Sequence, residues 1–237
     1  WSRRVDKFVI EGGYPLSGTI KPSGNKNAAL PLLAACLLTD QPVTLHNVPG
    51  IGDIETMAEL LEAVGATVER LGAHSWRVHA HTIEPVAFER SLFGRIRGSI
   101  MLAGPMLARL GRVNLPRPGG DVIGRRRVDT HFLALSALGA QVDTHNSFTL
   151  HADRLRGTDI LLDEASVTAT ENAIMAAVLA EGMTVLRNAA SEPHVQDLCR
   201  MLVCLGAQME GIGSNTLTIY GVSQLGGGEY TIGPDYM

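Results

Sequence analysis

LLEAVGATVE (60–69), ALSALGAQVD (134–143) and MLVCLGAQME (201–210) are three versions of one pattern. Each closes an amphipathic helix on a Gly-Ala stop and then opens a strand. Glycine suits the stop because it adopts the left-handed conformation that terminates a helix without a steric penalty. The three glycines, Gly65, Gly139 and Gly206, are 74 and 67 residues apart. A period of that length marks tandem structural units, too long for a solenoid repeat.

The matching extends outward from each stop. Upstream lie short β-like stretches, PVTLHNV (42–48), RVNLPR (112–117) and MTVLRNA (183–189). Before those come apolar helical runs, AALPLLAACLL (28–38), SIMLAGPMLARL (99–110) and ENAIMAAVLAEG (171–182). Downstream, ATVERLGAHSWRVHA, AQVDTHNSFTLHA and AQMEGIGSNTLTIYG read as hairpins with turns rich in Gly, Ser, Asn and His. With a leading strand such as DILLDE (159–164), each unit becomes a βαβαββ module. The first helix of each unit is apolar nearly all round and is predicted to be buried on every side, whereas the second has one polar face. Three such units are expected to pack around a shared centre, inner helices touching and sheets outside, in one α/β domain over residues 23–228. FVIEGGYPLSG (8–18) resembles LTIYGVSQLGG (217–227), and EYTIGPDYM (229–237) reads as the opening strand of a fourth unit. Residues 1–22 and 229–237 are therefore expected to belong with a second domain.

Composition sets broad limits. The chain is 45% apolar and 19% charged, which is globular and not disordered. A net charge of −4 argues against a surface devoted to nucleic acid or anionic membrane. The longest apolar run, 28–38, is too short to span a bilayer. The N-terminus has no long apolar segment of the secretory kind. Cys36, Cys199 and Cys204 form no C-x-x-C pair, so free thiols, core packing and a cytoplasmic setting are expected. The eight histidines show no ligand spacing, and neither a metal nor a cofactor is proposed.

The second unit departs from its sisters. From the strand valine to the glycine stop it needs 26 residues, against 22 and 21 in the first and third units. The surplus falls within LPRPGGDVIGRRRVDTH (115–131), where one carboxylate, Asp121, follows a glycine pair and precedes three arginines. Polar clusters also stand where the inner helices begin: SGNKN (23–27), RIRGS (95–99) and SVTATEN (166–172). Helix N-termini offer free N–H groups and the positive end of a dipole, so they suit anions. Each cluster alone is explained by ordinary capping. Three together, with Lys26, Arg97 and an arginine-rich loop, favour a polyanionic ligand.

SGNKNAALPLLAACLL (23–38), NVPGIGDIETMAELLEAVGA (47–66), PGGDVIG with RRRVDTH (118–131), SVTATENAIMAAVLAEG (166–182) and NAASEPHVQDLC (188–199) resemble the UDP-N-acetylglucosamine 1-carboxyvinyltransferase family of enolpyruvyl transferases. The resemblance covers the whole chain. It implies an inside-out α/β barrel of the EPSP-synthase-like kind and a second, C-terminal domain of the same enzyme. The activity it implies adds the sugar 3-hydroxyl of UDP-N-acetylglucosamine to phosphoenolpyruvate with loss of phosphate, the first committed step of peptidoglycan precursor synthesis. It assigns Lys26 and Asn27 to phosphoenolpyruvate, and Arg97 and Arg126 to anionic groups. Arg126, Arg127, Val128, Asp129 and Thr130, with Ser166 and Val167, would line the UDP-sugar site. Asp129 stands equally well as a nucleotide contact or as the cap of the following helix.

Two positions depart from the family pattern. Asp121 stands where most members carry Cys, the residue fosfomycin alkylates. An unperturbed Asp is almost fully ionised at pH 7, so using it as a general acid would cost about 4 kcal/mol without help from its surroundings. The expectation is that Asp121 is a catalytic acid whose proton affinity rises when its loop closes, and that the chain resists fosfomycin. Glu164 stands where many members carry Lys, which puts one phosphate contact in question. Two rival readings remain: a 3-phosphoshikimate 1-carboxyvinyltransferase-like enzyme, and a non-catalytic sugar-nucleotide-binding fragment. Without the second domain, little turnover is expected.

Overall fold

The computed structural model describes residue 7 and residues 9–120 and 127–237. Its elements run α1 (Lys26–Ala35), β1 (Val43–His46), α2 (Gly52–Ala63), β2 (Thr67–Gly72), β3 (Ser75–His79), α3 (Arg90–Phe93), α4 (Ala103–Leu110) and β4 (Arg112–Leu115). They continue with α5 (Asp129–Ala137), β5 (Gln141–Asp143), β6 (Phe148–His151), β7 (Asp159–Leu161), α6 (Val167–Ala177) and β8 (Met183–Arg187). The last are α7 (Pro193–Cys204), β9 (Gln208–Glu210), β10 (Thr216–Tyr220) and β11 (Gly228–Thr231). A 3-10 segment, Arg97–Leu102, leads into α4.

The three units are evident in three sheets, with strand orders β11-β1-β3-β2, β4-β6-β5 and β7-β8-β10-β9. Each expected hairpin is antiparallel: β2 with β3, β5 with β6, β9 with β10. Gly65, Gly139 and Gly206 end α2, α5 and α7 with φ of 100°, 105° and 106°, the left-handed conformation that repeated glycines predict.

The core lies between the sheets, among the inner helices. Every residue of α1 from Ala28 to Ala35 is buried, and so is every residue of α6 from Ala169 to Ala177. The Arg97–Leu102 segment touches both α1 and α6, and α4 runs along α6. The outer helices link the units cyclically: α2 packs on α1 and on the 97–102 segment, α5 on α6, and α7 on α1. An apolar surface on every side of α1 and α6 requires this arrangement, because only a ring of partners removes all of it from water.

The structure corrects several expectations. β11, which the sequence placed at the opening of a second domain, pairs in parallel with β1 (Val43 against Gly228, His46 against Thr231) and supplies the leading strand of the first unit. It stands to β1 as β7 stands to β8, also parallel. The second unit has no leading strand among the described residues, and its sheet has three strands where its sisters have four. Residues 7 and 9–22, expected as strands, form none, and Val9, Ile10, Leu16 and Ile20 are exposed. Among the described residues no strand pairs with them. Cys36 and Cys199 are buried as expected, with burial pushing both thiols up to about 12, but Cys204, in the last turn of α7, is exposed. No helix among the described residues is long and apolar enough to cross a membrane.

Candidate functional site

The three polar clusters come together on one cavity of about 820 Å³. Lys26 and Asn27 from the start of α1, Arg97 and Gly98 from the start of the 3-10 segment, and Ser166, Val167 and Thr168 from the start of α6 all line it. Gly120 and Arg127, on either side of the inserted loop's undescribed portion, line it too, together with Asp53, Glu164, Glu171, Glu192 and His194. A second, more open concavity lies on the first sheet, lined by Thr44, Arg77 and His79 among others, and receives no helix start.

Capping fixes how the helices enter. The Asn25 side chain accepts the Ala28 N–H at 3.0 Å, and the Ser166 hydroxyl accepts the Ala169 N–H at 3.5 Å. These caps hold α1 and α6 so that the residues just inside them, Lys26 and Val167, face the cavity. Lys26 Nζ lies 3.0 Å from Asp53 Oδ2 in the first turn of α2, with both side chains partly exposed. An ammonium tethered this way remains a compact positive charge at a helix start.

Gly119 and Gly120, in the inserted stretch, lie against Gly94 and the start of the 3-10 segment. Gly120 N–H reaches the Gly94 carbonyl at 3.3 Å. A Cβ at Gly119 would sit 1.8 Å from that same carbonyl oxygen, so only glycine permits the approach. Across the gap, an Arg97 guanidinium N–H donates to the Arg127 carbonyl at 3.3 Å. Arg127 itself is clamped by Asp129 (Nε to Oδ2 2.9 Å) and by Asp163 (2.9 Å), which raises the guanidinium's proton affinity further and holds the Asp129 carboxyl below the usual carboxylate range.

The sequence-predicted residues divide accordingly. Lys26, Asn27, Arg97, Arg127, Ser166 and Val167 meet at the cavity. Val128, Asp129 and Thr130 stand behind it: Val128 is the residue before α5 and Asp129 pairs with Arg127. Thr130, buried, donates to Asp163 at 2.8 Å. Asp129 pairs with Arg127 and does not itself line the cavity. Asp121 and Arg126 lie outside the described residues.

Several site groups escaped the sequence. His131 is buried between Asn172 and Thr168, and burial, reinforced by the Arg97 charge, pushes its pKa down to about 3. Glu171 lines the cavity from the middle of α6, fully buried with Oε1 lacking any partner; desolvation, and secondarily Glu192, pushes its pKa well up. Burial of this kind favours the protonated form of a carboxyl, which can donate an O–H, over the charged one. For Glu171 the signal available was the Glu171-Asn172 pair, which closes the polar cluster 166–172 just where the apolar run of the helix begins.

Taken together, the site offers cationic and amide donors from three helix starts, with a buried carboxyl and a neutral imidazole beneath them. That set suits a ligand rich in phosphate or carboxylate oxygens. Comparisons with known proteins agree with the fold. The sequence profile of EPSP synthase (3-phosphoshikimate 1-carboxyvinyltransferase) matches residues 10–237. A UDP-N-acetylglucosamine 1-carboxyvinyltransferase from Treponema denticola is 55% identical over 233 residues, covering 98% of this chain and 55% of that protein. The enzyme of the same name from Bradyrhizobium diazoefficiens is 57% identical over 231 residues, covering 98% and 54%. The chain thus spans about half the length of the curated relatives it matches. Among solved structures, the enolpyruvyl transferase NikO from Streptomyces tendae superposes with a TM-score of 0.80 at 27% identity, over 95% of this chain and 54% of that one. An Acinetobacter baumannii EPSP synthase, at 17% identity and a TM-score of 0.73 over 92% and 50%, shares the fold. With three-unit architecture, profile and neighbours in accord, this chain belongs to the EPSP synthase family of carboxyvinyltransferases.

Proposed function

We propose that the chain contributes the anion-binding cavity of an enolpyruvyl transferase that joins phosphoenolpyruvate to the 3-hydroxyl of UDP-N-acetylglucosamine, in the cytoplasm. The observation that carries this reading is the meeting of Lys26, Arg97 and Arg127 with three helix starts on one cavity. It is supported by relatives of that name at 55% and 57% identity. In this reading the sugar oxygen attacks C2 of phosphoenolpyruvate as a base takes the hydroxyl proton and an acid protonates C3. The tetrahedral intermediate then loses a proton from C3 and expels phosphate, leaving the enolpyruvyl ether. Lys26 and Arg97 neutralise phosphate and carboxylate oxygens, whose charge shifts during addition and elimination. Asp121 is the C3 acid in this proposal; it follows directly on Gly119 and Gly120, which lie against Gly94. A carboxylate there also removes the thiol nucleophile on which fosfomycin depends.

The test is calorimetric binding of UDP-N-acetylglucosamine, combined with phosphate release from phosphoenolpyruvate in its presence. Lys26→Ala and Arg97→Ala are each expected to weaken ligand binding by about tenfold or more, the worth of a charge-assisted hydrogen bond. Wild-type-like binding in both variants, or preference for shikimate 3-phosphate in competition, would overturn the proposal. Full turnover by Asp121→Asn would remove the acid from Asp121.

A further inference from the structure

A buried line of polar groups crosses from α4 through α6 to α5 and back to the cavity. It starts at Asn172, buried in α6. Asn172 Oδ1 accepts the Gly104 N–H at 2.7 Å, and Nδ2 donates to the Ile100 carbonyl at 3.0 Å. Backbone groups cannot exchange donor and acceptor roles, so this amide has one possible orientation. Its second N–H faces His131 Nδ1 at 2.9 Å. An amide nitrogen only donates, so Nδ1 accepts and the ring of a neutral His131 carries its proton on Nε2. Nε2 in turn lies 3.0 Å from Thr168 Oγ1. The hydroxyl oxygen therefore accepts from His131, and the hydroxyl hydrogen has to point elsewhere. Among the described residues no protein acceptor takes it.

Thr168 is in the first turn of α6 and lines the cavity. Its own N–H and that of Val167 are first-turn donors that the helix cannot satisfy internally. A hydroxyl that donates outward from this place adds to them.

We propose that Asn172, His131 and Thr168 form a hydrogen-bond relay of fixed direction that holds the Thr168 hydroxyl as a donor to an acceptor oxygen of the bound sugar nucleotide. Thr168 touches ligand; His131 and Asn172 are positioning residues that act through it. The inference rests on the sugar-nucleotide reading of the cavity. It goes beyond that reading by naming a hydroxyl contact and the tautomer that aims it. The same logic excludes His131 as a general base toward ligand, since its one basic nitrogen is spent on Asn172.

The experiment has two arms on the full chain. Nitrogen-15 NMR of the histidines is expected to show His131 as the Nε2–H tautomer at neutral pH; an Nδ1–H tautomer would overturn the relay. Calorimetry with UDP-N-acetylglucosamine is expected to show Thr168→Val binding about tenfold more weakly than wild type, the worth of one hydrogen bond to a charged group, and Thr168→Ser within about threefold of wild type. Wild-type affinity in Thr168→Val, with Lys26→Ala still weakened, would refute the Thr168 contact and leave the cavity reading standing. No binding by the wild-type chain would refute both. If Thr168→Val fails to fold, a Thr168→Ser affinity as low as that of Lys26→Ala would also count against the relay, because the serine keeps the hydroxyl.

Discussion

Lowering the pH from 7.5 to 5 should destabilise this chain in a way that depends on one residue. His131 is held neutral in the fold, its pKa pushed down to about 3 by burial and then by the Arg97 charge, against an ordinary value of 6.5. Below pH 6.5 the unfolded chain takes up a proton at His131 that the folded chain refuses. Stability is therefore unaffected by this group above pH 6.5 and falls as the pH drops from 6.5 toward 3. Each pH unit inside that window costs about 1.4 kcal/mol, so His131 alone removes about 2 kcal/mol by pH 5. Urea unfolding of wild type and of His131→Gln at pH 7.5 and pH 5 isolates the effect. The variant loses the relay at both pH values and starts less stable. Contributions from the other histidines and the carboxylates are common to both proteins and cancel in the difference. The wild type is expected to lose about 2 kcal/mol more than the variant between the two pH values. Equal losses would refute the claim that the fold holds His131 neutral.

Glu171 carries the opposite sign. Its carboxyl is raised by desolvation, so the folded chain keeps a proton that the unfolded chain releases above its ordinary value of 4.5, and stability falls as pH rises from there toward the folded-state value. Glu171→Gln, of nearly the same volume, should be more stable than wild type at pH 7.5 in urea unfolding, with the gap closing toward pH 4.5; a constant gap would contradict the buried acid. Gly119→Ala would drive a Cβ into the Gly94 carbonyl, and the resulting shift should cost about 1–3 kcal/mol in thermal unfolding. An unchanged melting temperature would show that the loop does not lie on Gly94.

Much of the fold could be read from the residues because its determinants are local. Glycine's freedom at positive φ fixes the three helix stops, period-two alternation and short turns fix the hairpins, and all-round apolarity fixes which helices are central. The site was partly legible for the same reason: helix starts are marked by their caps, and Lys26, Arg97 and Ser166 stand beside them. Arg127 was harder to place, because a run of three arginines does not say which one a carboxylate will hold. Asp163, 36 residues further on, completes that choice.

The sequence by itself determined three helix–strand–helix–hairpin units, their order, and the residue types gathered at the inner-helix starts. Only the tertiary structure decided that β11 returns across the chain to complete the first sheet, and that the second unit goes without a leading strand among the described residues. It likewise decided that Cys204 faces outward, that His131 is held neutral, and that burial raises the Glu171 carboxyl. The reason is physical. Strand pairing between positions such as Val43 and Gly228 is a choice among edges that look alike in sequence. The charge state of a buried group depends on the partners that surround it, which here come from other units of the fold.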